Sequence, residues 1–141
     1  MVPRRVLSPG GGYSPTGTHP SQAWTMALHP EHLTRALADL TRLRILMLLP
    51  PGEERCVCEL TQALELPQPK ISRHLAVLRE TGILRDRRAG LWIHYRLHPD
   101  LPPWAIEVLV ALGQGCQAQE PFAQDRQRLA RSQAPGVASC A

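Results

Sequence analysis

Two cysteines stand one residue apart in the chain, Cys56 and Cys58, in the stretch "EERCVCEL". Reduced thiolates are soft donors and suit thiophilic ions better than hard ones. The pair sits at the predicted start of a short helix, beside Arg55. Both features lower a thiol pKa, while Glu53, Glu54 and Glu59 oppose them, so no net shift is expected. On a helix, residues i and i+2 lie about 200° apart around the axis. Two sulfurs so placed reach one ion only if that first turn unwinds or is re-aimed. Other readings of the pair stay open. It can be two small buried hydrophobes, or a sterically tight redox disulfide. It can also be the thiol centre of an enzyme or metal carrier. Zinc asks for four ligands, and His29 and His32 nearby match no standard zinc spacing.

A second cluster is cationic. Residues 68–96 hold Lys70, Arg73, Arg79, Arg85, Arg87, Arg88 and Arg96 against only Glu80 and Asp86, a larger excess than the +4 of the whole chain. Positive charge confined to one segment is the footprint of a polyanion.

The elements around these residues explain how both clusters would be held. Pro30 suits the first turn of a helix over 30–38, with Leu33, Ala36 and Leu37 inward. Asp39 is a plausible N-cap for "LTRLRILMLL", apolar on nearly every side and therefore buried. "VCELTQALEL" is a short helix with Leu60, Ala63 and Leu64 inward, stopped by Pro67. In "QPKISRHLAVLRE", Ile71, Leu75 and Leu78 form a buried stripe, and Gly82 follows as a C′ glycine. Two short helices joined by a tight turn, the second basic outside, make a helix-turn-helix. Its base-reading candidates are Gln68, Lys70, Ser72, Arg73 and His74, at the N-terminal part of the second helix. "ILRDRRAGLWIHYRL" alternates with a period of two around an Ala89-Gly90 turn and reads as a β-hairpin wing. Arg87 and Arg88, with Arg85 and Arg96, would meet phosphates or the minor groove from that wing. Strand parity decides which of them face DNA.

"LPPWAIEVLVALG" is apolar on all sides between Trp104 and Leu112 except at Glu107. The helix-turn-helix and wing are too small to cover it, and a second copy of the chain would. The expected fold is therefore mainly α with a β-hairpin wing, a winged helix-turn-helix that dimerises through its terminal helices. Residues 1–25, rich in Gly, Pro, Ser and Thr, read as a disordered extension, and Met26 as a candidate natural start. Residues 26–112 form the DNA-binding and dimerisation domain, and 113–141 a polar, partly frayed C-terminal tail. Four cysteines without a secretory signal should be reduced thiols. No apolar run approaches the roughly 20 residues that span a bilayer, so no membrane partner and a cytoplasmic location are expected.

The segments "ALADLTRLRILMLL", "CVCELTQAL", "QPKISRHLAVLRETGIL" and "GLWIHYRL", in this order, closely resemble the ArsR/SmtB family of winged-helix repressors. The likeness spans roughly residues 31–112, and "CVCEL" with "QPKISRHL" is most similar to its arsenic-responsive branch. The resemblance implies a homodimer on double-stranded operator DNA that blocks arsenic-resistance genes and is not an enzyme. It implies further that arsenite or antimonite, bound by Cys56 and Cys58, releases it. A repressor sensing another soft metal ion or thiol oxidation is the nearest alternative. One position departs from the family motif: a third cysteine is expected three residues after the second, where this chain has Thr61. A hydroxyl is a poor ligand for a thiophilic ion. Cys116, Cys140, a small thiol or water is left to complete the shell.

Overall fold

A computed structural model describes residues 28–133. The expected disordered extension, the candidate start at Met26 and Cys140 lie outside those residues. The chain runs α1 (Pro30–Leu37), α2 (Leu40–Met47), β1 (Arg55–Cys56), α3 (Val57–Leu64), α4 (Gln68–Glu80), β2 (Leu84–Ala89), β3 (Trp92–Leu97), α5 (Pro103–Cys116) and α6 (Phe122–Ser132). This is a winged helix-turn-helix, mainly helical with one small antiparallel sheet.

Local chemistry accounts for most boundaries. Pro30 opens α1 and Pro103 opens α5, where a missing N–H costs nothing. The Asp39 carboxylate accepts from the Arg42 N–H at 3.0 Å and caps α2. That bond is the largest cause holding the Asp39 carboxyl below its usual range. Helix α3 ends at Leu64, two residues short of the expected Leu66, because Glu65 turns left-handed at φ 54°. Gly82, at φ +88°, ends α4, and the Ile83 N–H reaches back to the Leu78 carbonyl at 3.0 Å.

Helix α2 lies at the centre and packs against α1, α3, α4, α5 and α6. Ile45 and Leu49 from this region meet Leu60 of α3 and Ile71, Leu75 and Leu78 of α4, all fully buried. Each such side chain contributes about 1.5–3 kcal/mol by leaving water. The stripe at Ile71, Leu75 and Leu78 is therefore what fixes which face α4 turns outward.

Two features differ from the sequence reading. The wing is not a lone hairpin: the sheet order is β1-β3-β2, so Arg55 and Cys56 add a third strand. A two-residue strand carries no periodic signal. Beyond residue 112, where a polar tail is expected, α5 continues to Cys116 and α6 follows, packed along α3. The inward positions of α6 are Phe122, Asp125 and Leu129. A carboxylate in the middle of the stripe breaks the hydrophobic period and hides the helix from a pattern search.

Candidate nucleic-acid interface and thiol site

Helix α4 is anchored by its apolar stripe, and its other residues fan out around it. At 100° per residue the reading candidates do not share one face. Arg73 stands on the outward crest, exposed. Gln68 and Ser72 turn to one side and line a cleft of about 660 Å³ with Cys58 and Thr61 of α3 and Trp92 and Tyr95 of the wing. Lys70 and His74 turn to the other side, toward α2, where His74 faces Asp39 and Arg42. Burial lowers the His74 pKa, and Arg42, Arg73 and Lys70 add to this against the opposing pull of Asp39. A neutral imidazole hydrogen-bonds rather than neutralising a phosphate.

The register fixes the parity of the wing. Arg85 pairs with Arg96, Arg87 with His94, and Arg88 with Ile93. Tyr95 and Leu97 are buried, so Arg85, Arg87, His94 and Arg96 lie on the outer face and Arg88 on the other. Arg88 and Arg87 remain exposed. Arg87 is held by Glu54, donating from Nε at 3.1 Å and from Nη2 at 2.6 Å. That guanidinium holds the Glu54 carboxyl below its usual range. Glu54 is thus a partner of the wing arginine, where the sequence shows it only as a charge near the cysteines.

Cys56 is not part of the helix. It is the N-cap of α3, in extended conformation at φ −86° and ψ 163°, and it belongs to β1. The i, i+2 helical geometry expected for the two sulfurs is therefore replaced by one residue in a strand and one in the first turn. The Cys56 sulfur faces the Glu59 N–H, and the Glu59 carboxylate accepts from the Cys56 N–H at 2.9 Å, a reciprocal capping box. Across the sheet Cys56 is the partner of His94. Its thiol pKa is raised, chiefly by burial. Arg55, expected to help the thiolate, is instead paired with Glu53 at 3.2 Å. Cys58 is half-buried, with the Gln62 amide 3.8 Å from its sulfur, and it is disulfide-bonded, against the expectation of four reduced thiols, whereas Cys56 and Cys116 are free.

The Thr61 hydroxyl donates to the Val57 carbonyl at 2.8 Å, back into its own helix. Cys116 lies elsewhere, in a cavity of about 390 Å³ lined by α2, α5 and Arg126 that shares no residue with the cleft at Cys58. Among the described residues, no three His, Cys, Asp or Glu side chains gather as a metal site. His29 and His32 stack edge to face at 5.3 Å, away from any such group. Once Cys58 is reduced, the donors at the start of α3 are two sulfurs, which fits a thiophilic ion and does not fit four-coordinate zinc.

Helix α6 clamps this unit from behind. Asp125, 1% exposed, accepts from Arg44 Nε and Nη2 at 2.8 Å each and from Arg128 Nη2 at 2.9 Å. The same two guanidiniums donate to the last carbonyls of α3, Arg44 to Leu64 at 3.1 Å and Arg128 to Ala63 at 2.7 Å. Cations at a helix C-terminus are favourable. At the other end of α3, Gln133 donates to Glu59 at 3.1 Å.

Comparison with known proteins agrees with this geometry. Residues 39–86 match the family model described as bacterial regulatory protein, arsR family. The chain is 58% identical over 82 residues to the arsenic resistance transcriptional regulator ArsR1 of Pseudomonas putida, covering 58% of this chain and 64% of that one. It is 55% identical over 82 residues to the arsenical resistance operon repressor of Escherichia coli, covering 58% of this chain and 70% of the relative. The chain thus spans just under two thirds of the first of these relatives. A homodimeric winged helix-turn-helix DNA-binding domain from Mycobacterium bovis superposes with a TM-score of 0.52 at 26% identity, over 74% of this chain and 96% of that domain.

Proposed function

The chain belongs to the arsR family of bacterial regulatory proteins, and from that premise we propose that it is a DNA-binding repressor of arsenic-resistance genes, released from its operator when Cys56 and Cys58 bind arsenite or antimonite. It acts as a homodimer on double-stranded DNA and is not an enzyme.

One observation carries the reading. Cys56 caps the first helix of the helix-turn-helix and pairs with the wing strand, so a single residue joins both DNA-reading parts. Cys58, two residues on, shares its cleft with Gln68 and Ser72 of α4. When the Cys56 sulfur engages an inducer, it leaves the Glu59 N–H that it caps. Losing a cap loosens a helix end by about 0.5–2 kcal/mol. A coupling of about 1–3 kcal/mol already changes operator affinity about 5–150-fold. In the reduced protein, after a thiol reductant has opened the Cys58 disulfide, the bonding balances without further redox chemistry: each thiol passes its proton to a departing hydroxide, so an As–S bond replaces an As–O bond and water leaves.

The dimer is supported by α5. Ala105 and Leu109 pack inward, while Trp104, Val108 and Val110 stay well exposed. Helix α1 contributes less than its sequence promises, because Leu33 and Ala36 are already buried within the chain. A self-complementary α5 face fits a two-fold interface.

The test is the anisotropy of labelled promoter DNA with reduced protein, with and without arsenite. Wild-type protein should leave the DNA on adding arsenite, and Cys56→Ser and Cys58→Ser proteins should stay bound. Release of both variants by arsenite sinks the proposal. Cadmium, zinc and peroxide in the same assay separate arsenite sensing from sensing of another soft ion or of oxidation.

A further inference from the structure

The tip of the wing carries an apolar side chain that no described residue covers. Leu91 is 90% exposed, and Trp92 beside it is 40% exposed. We propose that Leu91 enters the minor groove of the operator, rests on the base edges there and selects A·T over G·C. This rests on the reading of the chain as a DNA-binding repressor and names a residue that sets its sequence preference.

Backbone chemistry puts Leu91 at the apex. Ala89 pairs with Trp92, so the hairpin turns through Gly90 and Leu91 alone. Gly90 takes φ +63°, whereas among the described residues only Glu65 is a non-glycine with positive φ, so Leu91 keeps a negative one. That is the pattern of a type II′ turn, with glycine at the first corner. Turns favour Gly, Asn, Asp and Ser. A leucine here adds nothing to the turn and stands in water.

The surroundings say what covers it. Leu91 lines the same cleft, of about 660 Å³, as Gln68 and Ser72, so the tip stands on a side of α4 that carries two of its reading candidates. Directly behind the tip, Arg87 and Arg88 are exposed and lie on opposite faces of the ribbon. A minor groove has a phosphate strand on each side and is about 6 Å wide, too narrow for a helix of about 10 Å diameter. A ribbon entering it edge-on meets the two walls with its two guanidiniums and the floor with its apex.

The groove floor supplies the preference. There an A·T pair shows only acceptors, the adenine N3 and the thymine O2, while G·C adds the guanine N2 amino donor. That amino group stands up from the floor. It holds a leucine off the base edges and is itself cut off from water without a partner. Apolar side chains used in this way are a recurrent device of minor-groove binding.

The experiment uses the full chain, reduced, and labelled promoter duplexes. A short window of base pairs, walked along the sequence, is made A·T, G·C or inosine·cytosine. Inosine keeps the major-groove edge of guanine and lacks the N2 amino group. Anisotropy should find a window on each side of the operator where G·C weakens binding about fivefold or more and inosine·cytosine binds like A·T. Leu91→Ser should bind all duplexes of that window equally and keep the wild-type preferences in the windows that α4 reads. Its urea midpoint should match wild type, because the apex is exposed. Wild-type preferences that nowhere follow the minor-groove edge overturn the proposal. So does a Leu91→Ser protein that still ranks that window as wild type does. Wild-type protein with no preference in any window overturns the repressor reading itself.

Discussion

Cys56 and His94 face each other across the β1–β3 ladder, and His94 in turn pairs with Arg87 across β2–β3. The Cys56 thiol is therefore two strands from an outward arginine of the wing, while its sulfur caps α3. Any change that pulls on the Cys56 backbone is felt by both DNA-reading parts through hydrogen bonds rather than through loops.

Glu59 holds that arrangement by bonding the Cys56 N–H on one oxygen and Gln133 on the other. Glu59→Ala should lower stability by about 0.5–2 kcal/mol in urea unfolding. It should also imitate the induced state, weakening operator binding about fivefold or more with no arsenite present. Operator affinity that stays at the wild-type value while stability falls would disconnect the cap from DNA reading.

Much of this was legible in the sequence. Pro30, Asp39, Gly82 and Gly90 mark their boundaries by backbone chemistry, and the Ile71, Leu75, Leu78 stripe orients α4. What was not legible shares a physical cause: partners that come from far along the chain. Strand β1 is set by pairing of Arg55 with Tyr95. Helix α6 is set by a buried carboxylate that only makes sense once Arg44 and Arg128 surround it. The fan of α4 residues, with Ser72 turned to the wing and His74 to α2, needs both neighbours in place.

The Asp125 cluster is the part of α6 most sensitive to mutation. A buried carboxylate whose removal strands Arg44, itself largely buried, should cost about 3–5 kcal/mol. Asp125→Ala should therefore show a much lower urea midpoint, with the Arg44 and Arg128 contacts to α3 loosened as well. A loss below about 1 kcal/mol would mean that the pair adds little beyond what it costs to bury.

The raised Cys56 thiol pKa has a definite sign. The folded protein keeps that proton to higher pH than the unfolded chain does. Its contribution to stability is complete below the unfolded thiol pKa and is lost as pH rises from there through the folded value. The pH profile of iodoacetamide alkylation at Cys56, read by mass spectrometry, should sit at higher pH in the folded protein than in urea. A folded profile at lower pH contradicts burial as the dominant cause.

Arg73 and Ser72 are neighbours in sequence but not in surroundings, Arg73 being exposed on the outward crest of α4 and Ser72 lining the cleft at Cys58. Arg73→Ala should weaken operator binding by about 1–3 kcal/mol if it reads a base, or reduce the salt slope by about one if it meets a phosphate. Ser72→Ala, at the cleft with Cys58, should change operator affinity less and arsenite response more. Anisotropy at several salt concentrations, with and without arsenite, distinguishes them; equal effects in both assays would refute the separation.

Glu54 and Arg87 form an exposed bidentate pair on the outer face of the wing. DNA phosphates must compete with that carboxylate for the guanidinium, and Glu54 adds its own repulsion. Glu54→Gln removes both obstacles. It should tighten DNA binding at low salt and steepen the dependence of log affinity on log salt by about one unit. Arg87→Ala on the Glu54→Gln background should return the slope to its starting value. If the double substitution keeps the steeper slope, the released cation is not Arg87, and the wing contact belongs instead to Arg85, Arg88 or Arg96.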